Sequence, residues 1–345
     1  MDKAIGRQKM KKLFFILIFS TVGLFLWAQE ITIMSYNIAH NNAYKKANYD
    51  EWIEQICTLI NGNRADIVLL QEVPVAMEKG FVSHLYGDTE IHFKRPQNHT
   101  ILDDIQKGLG ENWAYASTAN YLLHTGVTID GVDYSGGDMA QNNAIFYNTE
   151  KALPLDMADE LGFTRFPDCD YRFNKNNVQV LHFSVADDDG NVSYFIVSNV
   201  HLQSKNSIEK RNSDLQNLED LLLNEFGGEL FDVPIIVGGD FNTSRDEFDL
   251  VCFNGYIIDG GSSPKTTLST TGDRFKYAND YDHFVYNVAM MKKIKIGTRR
   301  AVFGESGTNL EKEKSFVLNG VEFKSSKDIR DKLSDHVPIV LTVEF

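Results

Sequence analysis

The chain has 345 residues, with 34 Lys+Arg against 48 Asp+Glu and a formal net charge of −14. At 43% hydrophobic and 24% charged it has the composition of a folded globular protein, which excludes a collagen, a coiled coil and a disordered chain. Three cysteines, none at zinc-ligand spacing, exclude a dense disulfide framework, and the acidic balance argues against a broad basic grip on nucleic acid.

Lys9, Lys11 and Lys12 precede an apolar run from Leu13 to Trp27, interrupted by Ser20, Thr21 and Gly23. A charged segment followed by a 15-residue apolar one is short for a membrane span. Residues 1–28 are therefore expected to be a signal peptide cleaved after Ala28, and the protein to be exported, periplasmic or secreted. An N-terminal membrane anchor kept in place is the alternative. Cleavage would leave residues 29–345 as one domain with 29 basic and 47 acidic side chains, deepening the net charge to −18.

From there apolar β-type runs alternate with helical patterns, as in an α/β fold. Ile31 to Tyr36 reads as a strand. Asn48 to Ile60 places Trp52, Ile53, Ile56, Cys57 and Ile60 on one helical stripe, with Asn48 and Glu51 as a capping box and Gly62 as the stop. Asp66 to Leu70 is a continuous apolar run of the kind buried on both faces. Residues 84–140 show no clear period and read as irregular. Asn143 to Tyr147, Val178 to Val185 and Tyr194 to Val200 read as strands, the last two joined by a solvated turn at Asp187–Gly190. Ser207 to Phe226 predicts an amphipathic helix through Leu215, Leu218 and Leu222. Strands follow at Val233 to Val237, Phe284 to Val288 and Val337 to Phe345. The basic segment Lys292, Lys293, Lys295, Arg299, Arg300 alternates with Ile294 and Ile296, which suits a solvated edge strand. Cys169 and Cys252 could pair, whereas Cys57 lies on the apolar face of its helix.

Polar residues stand where these strands end or begin. Asn37 follows the first strand, Glu72 the second, His201 the run ending at Val200, and Asp240 and Asn242 the run ending in Gly238-Gly239. Asp282 immediately precedes one strand, and Asp335-His336 the last. Each alone has an ordinary reading as a cap, a turn residue or a satisfied strand-end histidine. Strand ends meet strand starts when neighbours run antiparallel, so together these residues can share one rim of a mixed sheet. Carboxylates, carboxamides and imidazoles without cysteine make an oxygen-rich set for a hard cation: Mg²⁺, Mn²⁺ or Ca²⁺.

Ser35-Tyr-Asn-Ile38, Leu70-Gln-Glu-Val73, Asn199-Val-His-Leu-Gln-Ser204, Gly238-Gly-Asp-Phe-Asn-Thr243, Tyr281-Asp-His283 and Ser334-Asp-His-Val-Pro338 resemble the ordered motifs of the endonuclease/exonuclease/phosphatase superfamily, the deoxyribonuclease-I-like group. The resemblance implies a single four-layer α/β sandwich of two packed mixed β-sheets flanked by helices. It also implies a metal-dependent hydrolase of phosphate esters. Glu72, with Asn37 and Asp335, would hold Mg²⁺ (or Mn²⁺ or Ca²⁺). His336, oriented by Asp282, would activate water; Asp240 and Asn242 would position water and phosphate oxygens, and His201 would donate to the phosphate or the leaving group. His201 stands where the exonuclease III branch carries tyrosine, which points to the deoxyribonuclease I, sphingomyelinase and phosphatase branches. Gln141, Asn142 and Asn143 stand where deoxyribonuclease I carries a phosphate-binding arginine.

The expected activity is therefore hydrolysis of a phosphodiester, as in an endonuclease. The alternatives are a phosphatase or sphingomyelinase-like phospholipase C, and a catalytically inactive binding protein. The expected partner is the phosphoester substrate alone (nucleic acid, phospholipid headgroup or inositol phosphate), with no stable protein partner and a monomeric chain.

Overall fold

Six strands of the first sheet lie in the order β11-β12-β1-β2-β4-β3: Arg300–Ala301, Ile339–Glu344, Glu30–Asn37, Ile67–Pro74, Gln141–Asn148 and Trp113–Ser117. The second sheet runs β5-β6-β7-β8-β10-β9: Leu153–Pro154, Asn176–Ala186, Val192–His201, Ile235–Asp240, Asp282–Asn287 and Tyr256–Ile258. Both sheets are mixed, with one central parallel pair each, β1–β2 and β7–β8. The computed structural model describes residues 29–38, 48–74, 82–86, 89–94, 101–117, 122–123, 128–129, 132–133, 141–155, 172–173, 176–202, 232–248, 256–258, 265–269, 274–301 and 313–345, with Glu209, Asn212, Gln216 and Asp220. The leader and the Cys169–Cys252 pairing lie outside the described residues.

Alternation along each strand decides what it buries. On β1, Ile31 and Ile33 face the second sheet while Met34 and Tyr36 face outward. Between the sheets Leu69, Ile145, Phe183, Phe195, Val197, Ile236 and Phe284 form one core. Outside the first sheet, Val68, Leu70 and Phe146 pack against helices α1 (Tyr49–Gly62), α2 (Ile101–Leu109) and α3 (Ser326–Lys332) through Trp52, Ile56, Leu102, Ile105 and Ile329. Each such buried aliphatic or phenyl side chain contributes about 1.5–3 kcal/mol. The architecture is the expected single-domain α/β sandwich. No helix among the described residues is long and apolar enough to cross a membrane.

Several local expectations change. Asn48 caps α1 in an extended conformation without a side-chain bond, and the Glu51 side chain accepts from Gln55 Nε2 one turn on, at 3.2 Å. The helix runs through Gly62; Asn63 closes it by donating from Nδ2 to the Leu59 carbonyl (2.8 Å), and Arg64 takes the positive φ of 53°. Residues 84–140 contain ordered elements after all: α2, β3 and a small sheet that pairs 82–86 with 89–94 and 89–94 with 122–123. The last strand starts at Ile339, two residues late, because Pro338 cannot donate to a ladder. Of the basic segment only Arg300 joins a strand at the sheet edge, and 292–299 form turns with a single bridge, Ile294 to Val343. Of the helix expected at Ser207–Phe226, Glu209, Asn212, Gln216 and Asp220 are helical and the rest lies outside the described residues.

Candidate active site

Three of the expected site residues stand in one cross-strand row. His201 pairs with Asp240, and Asp240 with Asp282, across β7, β8 and β10. Residues in register point to the same face, and Ile236 and Phe284 show that this face looks at the first sheet. Two glycines make the row fit. A Cβ on Gly238 would lie 2.6 Å from Leu69 Cδ1, so the sheets could not approach; one on Gly239, at φ +153°, would lie 1.9 Å from the Val200 carbonyl oxygen.

The first sheet meets this row from the other side. Asn37 follows the inward series Ile31, Ile33, Ser35 and is fully buried. Glu72 arrives differently. Leu70 pairs with Ala144 and Val73 with Asn142, so β2 holds one extra residue, a β-bulge. Leu70 and Val73 both pack in the outer core, and Glu72, at φ +54°, is thereby turned to the rim.

The side chains converge on Asp240 Oδ2. Asn37 Nδ2 donates to it (3.1 Å) and to Glu72 Oε1 (3.2 Å). His201 Nε2 lies 3.6 Å from Glu72 Oε1 and 3.8 Å from Asp240 Oδ2, and His336 Nε2 lies 3.6 Å from Asp240 Oδ2. His336 Nδ1 is 2.8 Å from Asp282 Oδ2; a carboxylate only accepts, so Nδ1 carries the proton and Nε2 is turned to Asp240. Asn242, at φ +48°, donates from its backbone N–H to Asp240 Oδ1 and from Nδ2 to the Leu202 carbonyl, both at 2.8 Å. Asp335 sits on the His336 side, 3.9 Å from Nε2 and 3.7 Å from Arg330 Nη1. Asp282, Asp240 and Asn37 form a buried floor, and Glu72 at 24% exposure opens to solvent.

Burial pushes the Asp240 carboxyl up to about 6, with Asp282 adding to the rise and the two histidines opposing it. Burial pushes His336 down, but the carboxylates of Asp282, Asp240 and Asp335 outweigh it and hold the imidazole well above its ordinary range. Asp240, Asp282 and His336 each offer a ligand atom within 4.8 Å of the others. Within this trio the short His336 Nδ1–Asp282 Oδ2 bond leaves His336 Nε2 facing Asp240, an arrangement that can pass a proton as well as hold an ion. Glu72 adds a further carboxylate on the cleft side, bridged to Asp240 by Asn37, whose Nδ2 donates to both.

Residues outside the expected set hold this group in place. Thr266 Oγ1 accepts from the backbone N–H of both Tyr281 and Asp282 (3.2 and 3.1 Å), while its carbonyl accepts from Val337 (2.7 Å), tying Asp282 to the His336 segment. Ser334 Oγ donates to the Asn37 carbonyl (2.6 Å) and accepts from the His336 N–H (3.1 Å). Buried His283 puts Nε2 2.9 Å from the Thr243 carbonyl and, kept low by burial, donates to it as a neutral ring. Ser334 and His283 lay inside quoted motifs; nothing in the sequence marked Thr266.

The model of the endonuclease/exonuclease/phosphatase family matches residues 34–336, a span that contains every residue of this rim. The chain belongs to the endonuclease/exonuclease/phosphatase family. Members of this family are divalent-metal-dependent hydrolases acting on phosphoester bonds, and so is this enzyme. Among solved structures it is similar to an endonuclease/exonuclease/phosphatase family protein from Bacteroides thetaiotaomicron, at 15% identity and TM-score 0.55 over 92% of this chain and 99% of that one. It is also similar to the mannosyl-6-phosphatase Bt3783 of Bacteroides thetaiotaomicron VPI-5482 (15% identity, TM-score 0.53, 91% and 100% covered). A third is D. rerio TDP2 complexed with a single strand DNA product (13% identity, TM-score 0.50, 92% and 99% covered). At these identities the likeness is one of fold. No curated protein is similar enough in sequence to match.

Proposed function

We propose that this family member hydrolyses phosphodiester bonds by in-line attack of water, with Mg²⁺ or Mn²⁺ held by Glu72, Asn37 and Asp335 against Asp240, and with His336 as general base. The observation that carries the reading is the convergence on Asp240 Oδ2, which lies within 3.8 Å of Asn37, His201 and His336 at once. Two nearby carboxylates in a largely buried cluster repel each other, and a hard cation relieves that repulsion. When bound, the cation draws charge from a phosphate oxygen.

The chain's own residues do the rest. His336 Nε2 takes the proton from water, while Asp282 fixes the tautomer through Nδ1 and stabilises the imidazolium. Asp240 and Asn242 hold the water and a phosphate oxygen. His201 donates to the phosphate or protonates the departing alkoxide. The leader, residues 1–28, is a cleaved export signal, and a mature protein whose first residue is Gln29 would bear this out.

A monoesterase is the second reading, favoured by one observation. β4 opens on Gln141-Asn142-Asn143, where no arginine stands to clamp a second ester arm. A panel of plasmid DNA, bis(p-nitrophenyl) phosphate, p-nitrophenyl phosphate, sphingomyelin and inositol phosphates separates the two. With Mn²⁺ the diesters should be cleaved, and EDTA should abolish cleavage. Turnover confined to monoesters would replace the first reading with the second; turnover indifferent to EDTA would sink both.

A further inference from the structure

Directly beneath the rim, the two sheets are joined by a buried carboxamide pair that the proposed chemistry does not use. Asn199 on β7 is fully buried and points toward the first sheet, two residues before His201. Its Nδ2 donates to the carbonyls of Leu70 (2.9 Å) and Ala144 (3.0 Å). Those two residues are register partners, the last regular pair before the bulge that contains Glu72. Its Oδ1 lies 2.7 Å from Gln71 Nε2, which also reaches Ser35 Oγ (3.2 Å) and the Leu69 carbonyl (3.0 Å).

A bulge opens the ladder, and a buried carbonyl left there without a donor is destabilising. A non-glycine residue at positive φ, such as Glu72, is strained and persists only where its surroundings fix it. Asn199 reaches the edge of the bulge from the opposite sheet, its one carboxamide donating to a carbonyl of each paired strand. The Gln71 side chain, next to Glu72 in the bulge, is held by the same group.

We infer that Asn199, with Gln71, is a positioning residue: it fixes the bulge that turns Glu72 to the rim and sets the gap between Glu72 on one sheet and His201 on the other. The inference rests on the proposed role of Glu72 in holding the cation. It requires that the cation site depend on a residue of the opposite sheet that never touches the cation.

The test is binding of Mn²⁺ alone, measured by calorimetry on purified protein without substrate, with folding checked by circular dichroism. Asn199→Leu keeps the volume and removes every donor and acceptor. It should weaken Mn²⁺ binding about tenfold or more, the usual effect of losing a group that orients a metal ligand. It should also raise the Mn²⁺ concentration for half-maximal turnover by the same factor. Val185→Ala, in the core between the sheets, should lower the melting temperature and leave Mn²⁺ binding unchanged. Wild-type affinity in folded Asn199→Leu would overturn the inference. If that variant fails to fold, Gln71→Met decides: it removes the donor to Asn199 and spares Asn199's own bonds, and unchanged Mn²⁺ affinity there overturns it equally. A wild-type protein that binds no Mn²⁺ would instead remove the reading beneath.

Discussion

In the first sheet the parallel pair β1–β2 is flanked by antiparallel β12 and β4; in the second the parallel pair β7–β8 is flanked by antiparallel β6 and β10. The same four-strand plan thus ends at the same rim twice. The ends differ in how they deliver their side chains. The second sheet keeps strict register, so His201, Asp240 and Asp282 form a straight row with spacings set by the ladder. The first breaks register at the bulge and sends Glu72 out of line, at φ +54°. A straight row suits proton handling, where donor and acceptor must stay within hydrogen-bond reach. An off-row carboxylate suits a cation, which needs donors from several directions.

That proposed division of labour can be broken at either sheet. The largest effect belongs to the row and the base it orients: His336→Ala should lower kcat by about 10²–10⁴-fold. Asp282→Asn should lower it comparably and also shift the acid limb of the rate profile to lower pH. Burial presses the His336 pKa down, and Asp282 comes first among the carboxylates that outweigh burial and raise it. Removing that negative charge lowers the pKa, so the neutral base persists to lower pH. A limb that stays put would dissociate Asp282 from His336. Next is the backbone beneath the row. Gly239→Ala should destabilise the fold by about 3 kcal/mol or more in denaturant titration, through the clash with the Val200 carbonyl and the strained φ. A loss below about 1 kcal/mol would show that the row tolerates a shift.

A third effect is confined to the other sheet. Glu72→Gln should raise the Mn²⁺ requirement at least about tenfold while leaving the melting temperature of the metal-free protein nearly unchanged. The smallest effect lies far from the rim. Lys295 bridges Glu30 and Glu344 on the exposed surface, and Lys295→Ala should leave both melting temperature and turnover unchanged, because exposed ion pairs contribute little.

Continuous apolar runs made most of the strands of both sheets legible in the sequence, and the polar residue at each run's end made the rim legible with them. Register conflicts and side-chain competition did not show. The residue count between Leu70 and Val73 reveals a bulge only once β4 is paired beside β2. The capping box expected at Asn48 does not form: the Asn48 side chain makes no cap bond, and Glu51 pairs with Gln55 within the helix. Helix α2 was missed because Leu102 and Ile105 are its only fully buried residues, and Gly108 lies inside it, where a side chain would strike Cys57 Sγ at 2.6 Å. Thr266 was invisible because its work is done by backbone and hydroxyl contacts to segments far away in the chain.

The antiparallel pairing of β1 with β12 has a consequence for how the molecule assembles. Thr32 and Thr342 face each other with hydroxyls 3.1 Å apart across 310 positions of sequence. The first sheet therefore cannot close until the last strand has been synthesised and has travelled back to the first, and pairings of such long range are slow to form. Asp335 and His336 lie on the segment that leads into that strand. The rim is thus the last part of the enzyme to be completed, and hydrolytic activity should appear only once the whole chain has folded.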